Sequence, residues 1–186
     1  MVILCFGDSN TYGYDPRSPF GDRYGAEHRW VDRLAASLGC VCINAGENGR
    51  EIPEREWEIR YFDRLVETHH PDCVIVMLGS NDLLQGNPVE TVVSRMETFL
   101  EKTDRTSLLL IAPPPMQRGE WVSSQGLIDA SSALRCGYKA LTERLGVRFA
   151  DAGAWNIPLT FDGVHFTEEG HRAFAEGLVN YLNRGE

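Results

Sequence analysis

Short, continuously apolar runs alternate along this chain with longer segments whose apolar residues recur at helical spacing. The first run, Ile3-Leu4-Cys5-Phe6, starts almost at residue 1 and breaks at Gly7-Asp8-Ser9. Four to six apolar residues bounded by turn residues read as a strand covered on both faces. Cys73 to Leu78 is the clearest such run, and Val41-Cys42-Ile43, Ser107 to Ala112 and Val147 to Ala150 complete the set. Between them the apolar positions follow a helix period. Glu27 to Leu38 puts Trp30, Val31, Leu34, Ala35 and Leu38 on one face, and Gly39 stops it. Pro53 opens a second helix that aligns Trp57, Tyr61, Phe62, Leu65 and Val66 and ends at His69-His70-Pro71. Val89 to Lys102 turns Val92, Val93, Met96, Phe99 and Leu100 inward, and a further helix covers Leu127 to Leu145. Thr167 caps the last, with an acidic first turn and Phe174, Leu178, Val179 and Leu182 on its inner face. Strand followed by helix, repeated through the chain, predicts an α/β fold with a parallel sheet of about five strands and helices on both faces. No repeat, low-complexity segment or linker interrupts the pattern, so residues 1–186 are expected to form one domain.

The polar segments at the strand ends change the picture from architecture to chemistry. In a parallel sheet the loops after the strands open on one edge, where such sheets bind ligands. Four of them carry reactive groups: Asp8-Ser9, Gly46 to Gly49, Gly79-Ser80-Asn81-Asp82 and Asp162-Gly163-Val164-His165. Together they supply a hydroxyl, backbone donors in a small-residue loop, an amide, a carboxylate and an imidazole, which is the inventory for acyl transfer. Ser9 needs a base, and His165 is suited to that task because imidazole titrates near neutral pH. Asp162, three residues earlier, can set its carboxylate against the ring and fix its tautomer. The N–H groups of Ser9 and Gly49 and the Asn81 amide are the candidate donors to an oxyanion. Each feature also has a structural reading: Ser9 as a helix cap, Asp162-x-x-His165 as a capping turn, and Asn81-Asp82 as a turn pair. Finding all of them at strand ends favours the chemical reading. Tyr12 and Tyr14, in the Gly- and Pro-rich loop running to Gly21, and Trp121, in the irregular stretch Met116 to Gln125, are candidate pocket residues. The adjacent His69-His70 pair points in two directions and makes a poor chelate. His28 lacks a carboxylate at the Asp-x-x-His spacing, and His171 is expected to face solvent from within the last helix.

Composition narrows the partners. A net charge of −9 argues against nucleic acid and against anionic membrane, although recurrent arginines (Arg17, Arg23, Arg29, Arg50, Arg55, Arg60) leave room for a local basic rim. The five cysteines are odd in number and irregular in spacing. Cys5, Cys42 and Cys73 lie in apolar runs and read as reduced core residues, which suits a reducing compartment. No signal peptide and no apolar run of membrane-spanning length is visible, so a cytoplasmic location is expected.

Gly7-Asp8-Ser9, Asn44-Ala45-Gly46-Glu47-Asn48-Gly49, Gly79-Ser80-Asn81-Asp82 and Asp162-Gly163-Val164-His165 resemble, in order, the four blocks of the SGNH hydrolases, also called GDSL esterases and lipases. Asn10 stands where leucine is usual, which questions the packing beside the nucleophile. Alignment from Asn44 places the second block's oxyanion glycine at Gly49 rather than Gly46. The resemblance covers nearly the whole chain. It implies a flavodoxin-like, three-layer αβα fold and a serine hydrolase that needs no cofactor or metal. Leu4 to Ser9, Trp30, Met77 to Asp82 and Pro113-Pro114-Pro115 look like the arylesterase and acyltransferase branch, some of whose members form homo-oligomers. The expected substrate is a small-molecule carboxylic ester with a short acyl group, since no long apolar lid is present. Carbohydrate O-deacetylation by the same machinery is the alternative. A flavodoxin-like module binding phosphate or flavin is the rival of another class, but it leaves Asp162 and His165 without a purpose.

Overall fold

The computed structural model describes residues 1–18, 20–105 and 107–184; Pro19 of the Tyr12–Gly21 loop lies outside them. Five parallel strands form the sheet: β1 (Val2–Gly7), β2 (Val41–Gly46), β3 (Cys73–Met77), β4 (Leu108–Ala112) and β5 (Arg148–Asp151), in the spatial order β2-β1-β3-β4-β5. The helices are α1 (Ser9–Tyr12), α2 (Trp30–Leu38), α3 (Glu56–His69), α4 (Ser80–Leu84), α5 (Val89–Glu101), α6 (Gln125–Leu145) and α7 (Glu168–Arg184). A short 3₁₀ turn at Ala152–Trp155 follows β5.

Alternation along β1 divides the core into two layers. Leu4 and Phe6 pack with Ile59 and Phe62 of α3, Met96 and Phe99 of α5, and Leu134 and Tyr138 of α6. Ile3 and Cys5 pack on the other face with Trp30 and Leu34 of α2 and Phe174 and Leu178 of α7. Strands β3 and β4 are buried along their whole length, as their unbroken apolar runs require. The chain order reverses direction between β2 and β3, across β1, and such reversals create the crevice where α/β sheets bind ligands.

Several expectations are corrected. Strand β2 is an edge strand, so Val41 is exposed and Cys42 only half-buried. Its pairing continues through Asn44 to Gly46, which lengthens it beyond Ile43. Helix α3 starts at Glu56 rather than Pro53, because the Ile52 N–H donates to buried Asp82 and holds the preceding segment extended. Its core face is Ile59 and Phe62; Trp57 is 62% and Tyr61 38% exposed, not inward. His171 is fully buried rather than solvent-facing. Four of the six arginines are paired with carboxylates: Arg17 with Asp15 and Glu168, Arg29 with Asp32, Arg50 with Glu47 and Arg60 with Glu56; Arg23 instead donates to the Tyr12 carbonyl.

Candidate active site

Register brings three of the polar loops to one level. Gly7 pairs across from Gly46 on one side and Met77 on the other, so β1, β2 and β3 end together. Ser9 follows Gly7 at the first position of α1, which is capped by Asp8 through the Asn10 N–H. A first-turn N–H has no partner within its own helix, so the Ser9 N–H points out of the helix end. Ser9 Oγ lies 2.9 Å from Nε2 of His165, and Nδ1 of His165 lies 2.7 Å from Oδ2 of Asp162. All three side chains are buried. The other Asp162 oxygen accepts the N–H groups of Val164 and His165, so one carboxylate organises the turn and orients the ring it produced. Burial pushes the Asp162 carboxyl up, but the hydrogen bonds from the ring and the two N–H groups outweigh it and hold it at about 2. The carboxylate is therefore ionised at neutral pH and accepts the Nδ1 proton, which leaves Nε2 as a lone pair facing the serine hydroxyl.

Asn10 resolves the question raised by its departure from leucine. Its side-chain amide donates to the Val164 carbonyl, and its oxygen accepts the Phe166 N–H. These two bonds hold the backbone on either side of His165, one residue from Ser9. The Asn10 carbonyl in turn accepts the indole N–H of buried Trp30. On the far side, Gln117 N–H donates to the Gly163 carbonyl and Trp121 N–H to the Asp162 carbonyl. The 117–122 stretch is therefore a brace for the Asp162 turn, a role for which the sequence carries no local signal.

The second loop separates its two glycines. The Gly46 N–H is already bound to Asn44 Oδ1. A Cβ at Gly46 would lie 2.1 Å from the Tyr12 backbone nitrogen, so this glycine lets β2 and α1 approach. Gly49 has φ +75° and open space around it. Arg50 fixes this loop: Nη1 donates to the Gly7 and Ala45 carbonyls, Nη2 pairs with Glu47 at 2.6 Å, and the guanidinium stacks over Phe6. Asn81, at the start of α4, donates its amide to the Arg50 carbonyl at 3.0 Å, which links the second and third loops. Asp82 is fully buried; it accepts the Ile52 N–H and pairs with Arg95 at 3.1 Å. Burial raises the Asp82 pKa, and the bonds from Arg95 and Ile52 oppose that rise. Arg50 and the Asp82–Arg95 pair are supports that the sequence pattern does not single out.

The candidate pocket residues divide. Tyr14 lies 4.8 Å from the His165 ring, and Trp121 meets it edge-on at 5.0 Å, so both flank the imidazole. Tyr12 instead lies against the Arg23 guanidinium. A cleft of about 280 Å³ opens beside Gly49, lined by the 47–55 loop and by Trp57 and Tyr61 of α3; Ser9 and His165 do not line it. Among the described residues no helix is long and apolar enough to cross a membrane.

Comparison with known proteins gives the family and the fold. The sequence profile of the GDSL-like lipase/acylhydrolase family matches residues 5–173. A protein from Agrobacterium tumefaciens assigned as an arylesterase is 30% identical, with a TM-score of 0.86 and 98% of both chains covered. An aryl esterase of M. smegmatis is 27% identical, with a TM-score of 0.84 over 98% of both chains. A carbohydrate acetylesterase of Sinorhizobium meliloti is 25% identical, with a TM-score of 0.84 over 100% of this chain and 99% of that one. No curated protein sequence matches.

Proposed function

The chain belongs to the GDSL-like lipase/acylhydrolase family and is a carboxylic ester hydrolase, and from that premise we propose that it cleaves short-acyl esters through an acyl-serine intermediate. The observation that carries this reading is the continuous line Ser9 Oγ to His165 Nε2 to Asp162, at 2.9 and 2.7 Å. Ser9 Oγ attacks the ester carbonyl while its proton passes to Nε2 of His165. The Asp162 carboxylate stabilises the imidazolium that forms. Negative charge gathers on the former carbonyl oxygen, which the Ser9 and Gly49 N–H groups and the Asn81 amide receive. The intermediate collapses, the C–O bond to the alcohol breaks, and His165 returns the proton to the leaving oxygen. Water then enters, gives a proton to His165, attacks the acyl-serine and releases the acid. Gly49 serves rather than Gly46, because the Gly46 N–H is bound within its own loop. Asp8 acts as the cap of α1 and takes no part in proton transfer.

A short acyl group follows from the surroundings. The rings of Tyr14 and Trp121 flank the His165 imidazole at 4.8 and 5.0 Å and crowd the approach to Ser9. Hydrolysis of p-nitrophenyl esters of increasing acyl length tests this mechanism. Acetate and propionate should be cleaved far faster than octanoate, and Ser9→Ala should lose about three orders of magnitude or more in kcat. Wild-type rates in the alanine variant would overturn the mechanism.

A further inference from the structure

Four of the five cysteines lie together on one face of the sheet, and the chemistry at Ser9 uses none of them. Cys42 of β2 pairs with Ile3 of β1 on one side, Cys73 of β3 pairs with the same residue on the other, and Cys5 follows Ile3 on the same face of β1. Cys40 joins them from the bend between α2 and β2, and its sulfur lies 3.8 Å from that of Cys42. At that distance the two sulfurs are in contact. Cys42 comes four strand residues, about 13 Å, before Gly46, the level at which the loops of the site open.

The four thiols differ in access. Cys5 is fully buried, and Cys73 is buried with its sulfur accepting from Arg148 at 3.1 Å. Cys40 and Cys42 are half-buried, because β2 is an edge strand, and Val41 between them is exposed. These two also differ from each other. A hydrogen bond from the Cys5 thiol, helped by one from Cys40, holds the Cys42 pKa below the ordinary thiol value against the effect of burial. Burial, and after it the neighbouring Cys42, pushes Cys40 up to about 11. The more readily ionised sulfur thus touches one that keeps its proton, which suits an attacking and a resolving thiol. Cys40 also lies outside the β ladder: Gly39, with φ +60°, turns the chain out of α2, and pairing with β1 starts at Val41. Closing the gap to a disulfide length of about 2.05 Å therefore asks for movement at Cys40 and not within the strand. Among the described residues no group of three or more His, Cys, Asp or Glu side chains could hold a metal ion, so the cluster is not a metal site.

We propose that Cys40 and Cys42 form an oxidisable dithiol, a modification site apart from the esterase centre, whose oxidant is a hydroperoxide. With hydrogen peroxide, the Cys42 thiolate attacks one peroxide oxygen. An S–O bond forms, the O–O bond breaks, and the departing hydroxide takes a proton and leaves as water. Cys42 is then a sulfenic acid, oxidised by two electrons, and the peroxide has been reduced by the same two. The Cys40 sulfur attacks that of Cys42, the S–S bond forms, the S–O bond breaks, and the hydroxyl leaves with the Cys40 proton as a second water. Two thiols and one peroxide give one disulfide and two waters. The sulfur contact favours this closure over a second oxidation of Cys42 to sulfinic acid.

The test exposes the reduced, full-length chain to hydrogen peroxide, stops the reaction with catalase, alkylates the unfolded protein and reads intact and peptide masses. One disulfide per chain should form, within the peptide that carries Cys40 and Cys42, and dithiothreitol should reverse it. It should form at least about tenfold faster than the exposed thiol of Cys136 is oxidised. In Cys40→Ser the sulfenic acid should persist and be captured by dimedone on Cys42. In Cys42→Ser, Cys40 should take no dimedone. Oxidation of Cys136 as fast as that of the pair, or without any disulfide at the pair, would overturn the proposal. So would a disulfide joining Cys42 to Cys5 or to a second chain, or dimedone capture on Cys40 in Cys42→Ser. The masses of the wild-type chain decide between the disulfides without recourse to a variant.

Discussion

Asn10 and Asn81 are each held by a bond to the backbone of another strand-end loop, so single substitutions should separate chemistry from positioning. Asn81→Ala removes a proposed oxyanion donor and its bond to the Arg50 carbonyl. It should cost about 2.7–4 kcal/mol of barrier, seen as a fall in kcat of about 10²–10³ on p-nitrophenyl acetate. Asn10 should behave differently, because it touches the backbone beside His165 and not the substrate. Asn10→Leu breaks both bonds and should lower kcat by about 10–100-fold with little change in KM, since misplacement of a base weakens the transition state first. Asn10→Asp can still accept the Phe166 N–H but cannot donate to Val164, so its kcat should fall between those of Asn10→Leu and wild type. If the leucine and aspartate variants match wild type in steady-state rates, the clamp has no part in catalysis.

At the scale of elements, the loop between β2 and α3 is fastened from below by Asp82 and Arg95. Arg95→Met leaves the Asp82 carboxyl buried with one partner fewer and should destabilise the protein by about 1–3 kcal/mol. With a shift of roughly 2–4 °C per kcal/mol for a chain of this size, the melting temperature should drop several degrees. An unchanged melting curve would show that Asp82 is satisfied without Arg95. The strands and the order of their loops were legible because continuous apolar runs and turn residues are local signals. Asp162 beside His165 was legible for the same reason, since one tight turn spans the pair. Trp57 and Tyr61 were misplaced because periodicity gives a face but not which neighbour covers it. Val41 was misjudged because edge and central strands share one apolar signature. Arg50, Asn10 and the 117–122 brace act across the fold, on partners distant in sequence, where a single chain carries no local cue.

Across the whole molecule, two buried titratable groups pull stability in opposite directions with pH. His171 is packed between Tyr24 and Phe166 with Nδ1 accepting the Trp30 N–H at 3.4 Å, and among the described residues its Nε2 has no partner. Burial, and after it the charges of His165, Arg29 and His28, lowers its pKa from 6.5 to about 3. Its folded pKa lies below the unfolded one, so the unfolded chain takes the proton first and stability falls as pH drops below about 6.5, by roughly 2 kcal/mol at pH 5. Asp8 runs the other way: burial raises it from 3.8 to about 6 against the Asn10 N–H and nearby cations. Its contribution is full below about 4 and is lost as pH rises through 6. His171→Gln should therefore leave a protein whose denaturant midpoint no longer falls, and even rises, from pH 6.5 to 5. A variant that keeps the wild-type acid slope would show that the slope does not come from His171. The central claim, that Ser9 is the nucleophile of this fold, is tested most directly by reacting the intact chain with a fluorophosphonate and reading its mass and the labelled peptide. One adduct per chain is expected, on Ser9, formed in step with loss of p-nitrophenyl acetate hydrolysis and absent from Ser9→Ala. Full esterase activity in a chain labelled at Ser9, or inactivation with the label on another residue, would contradict it.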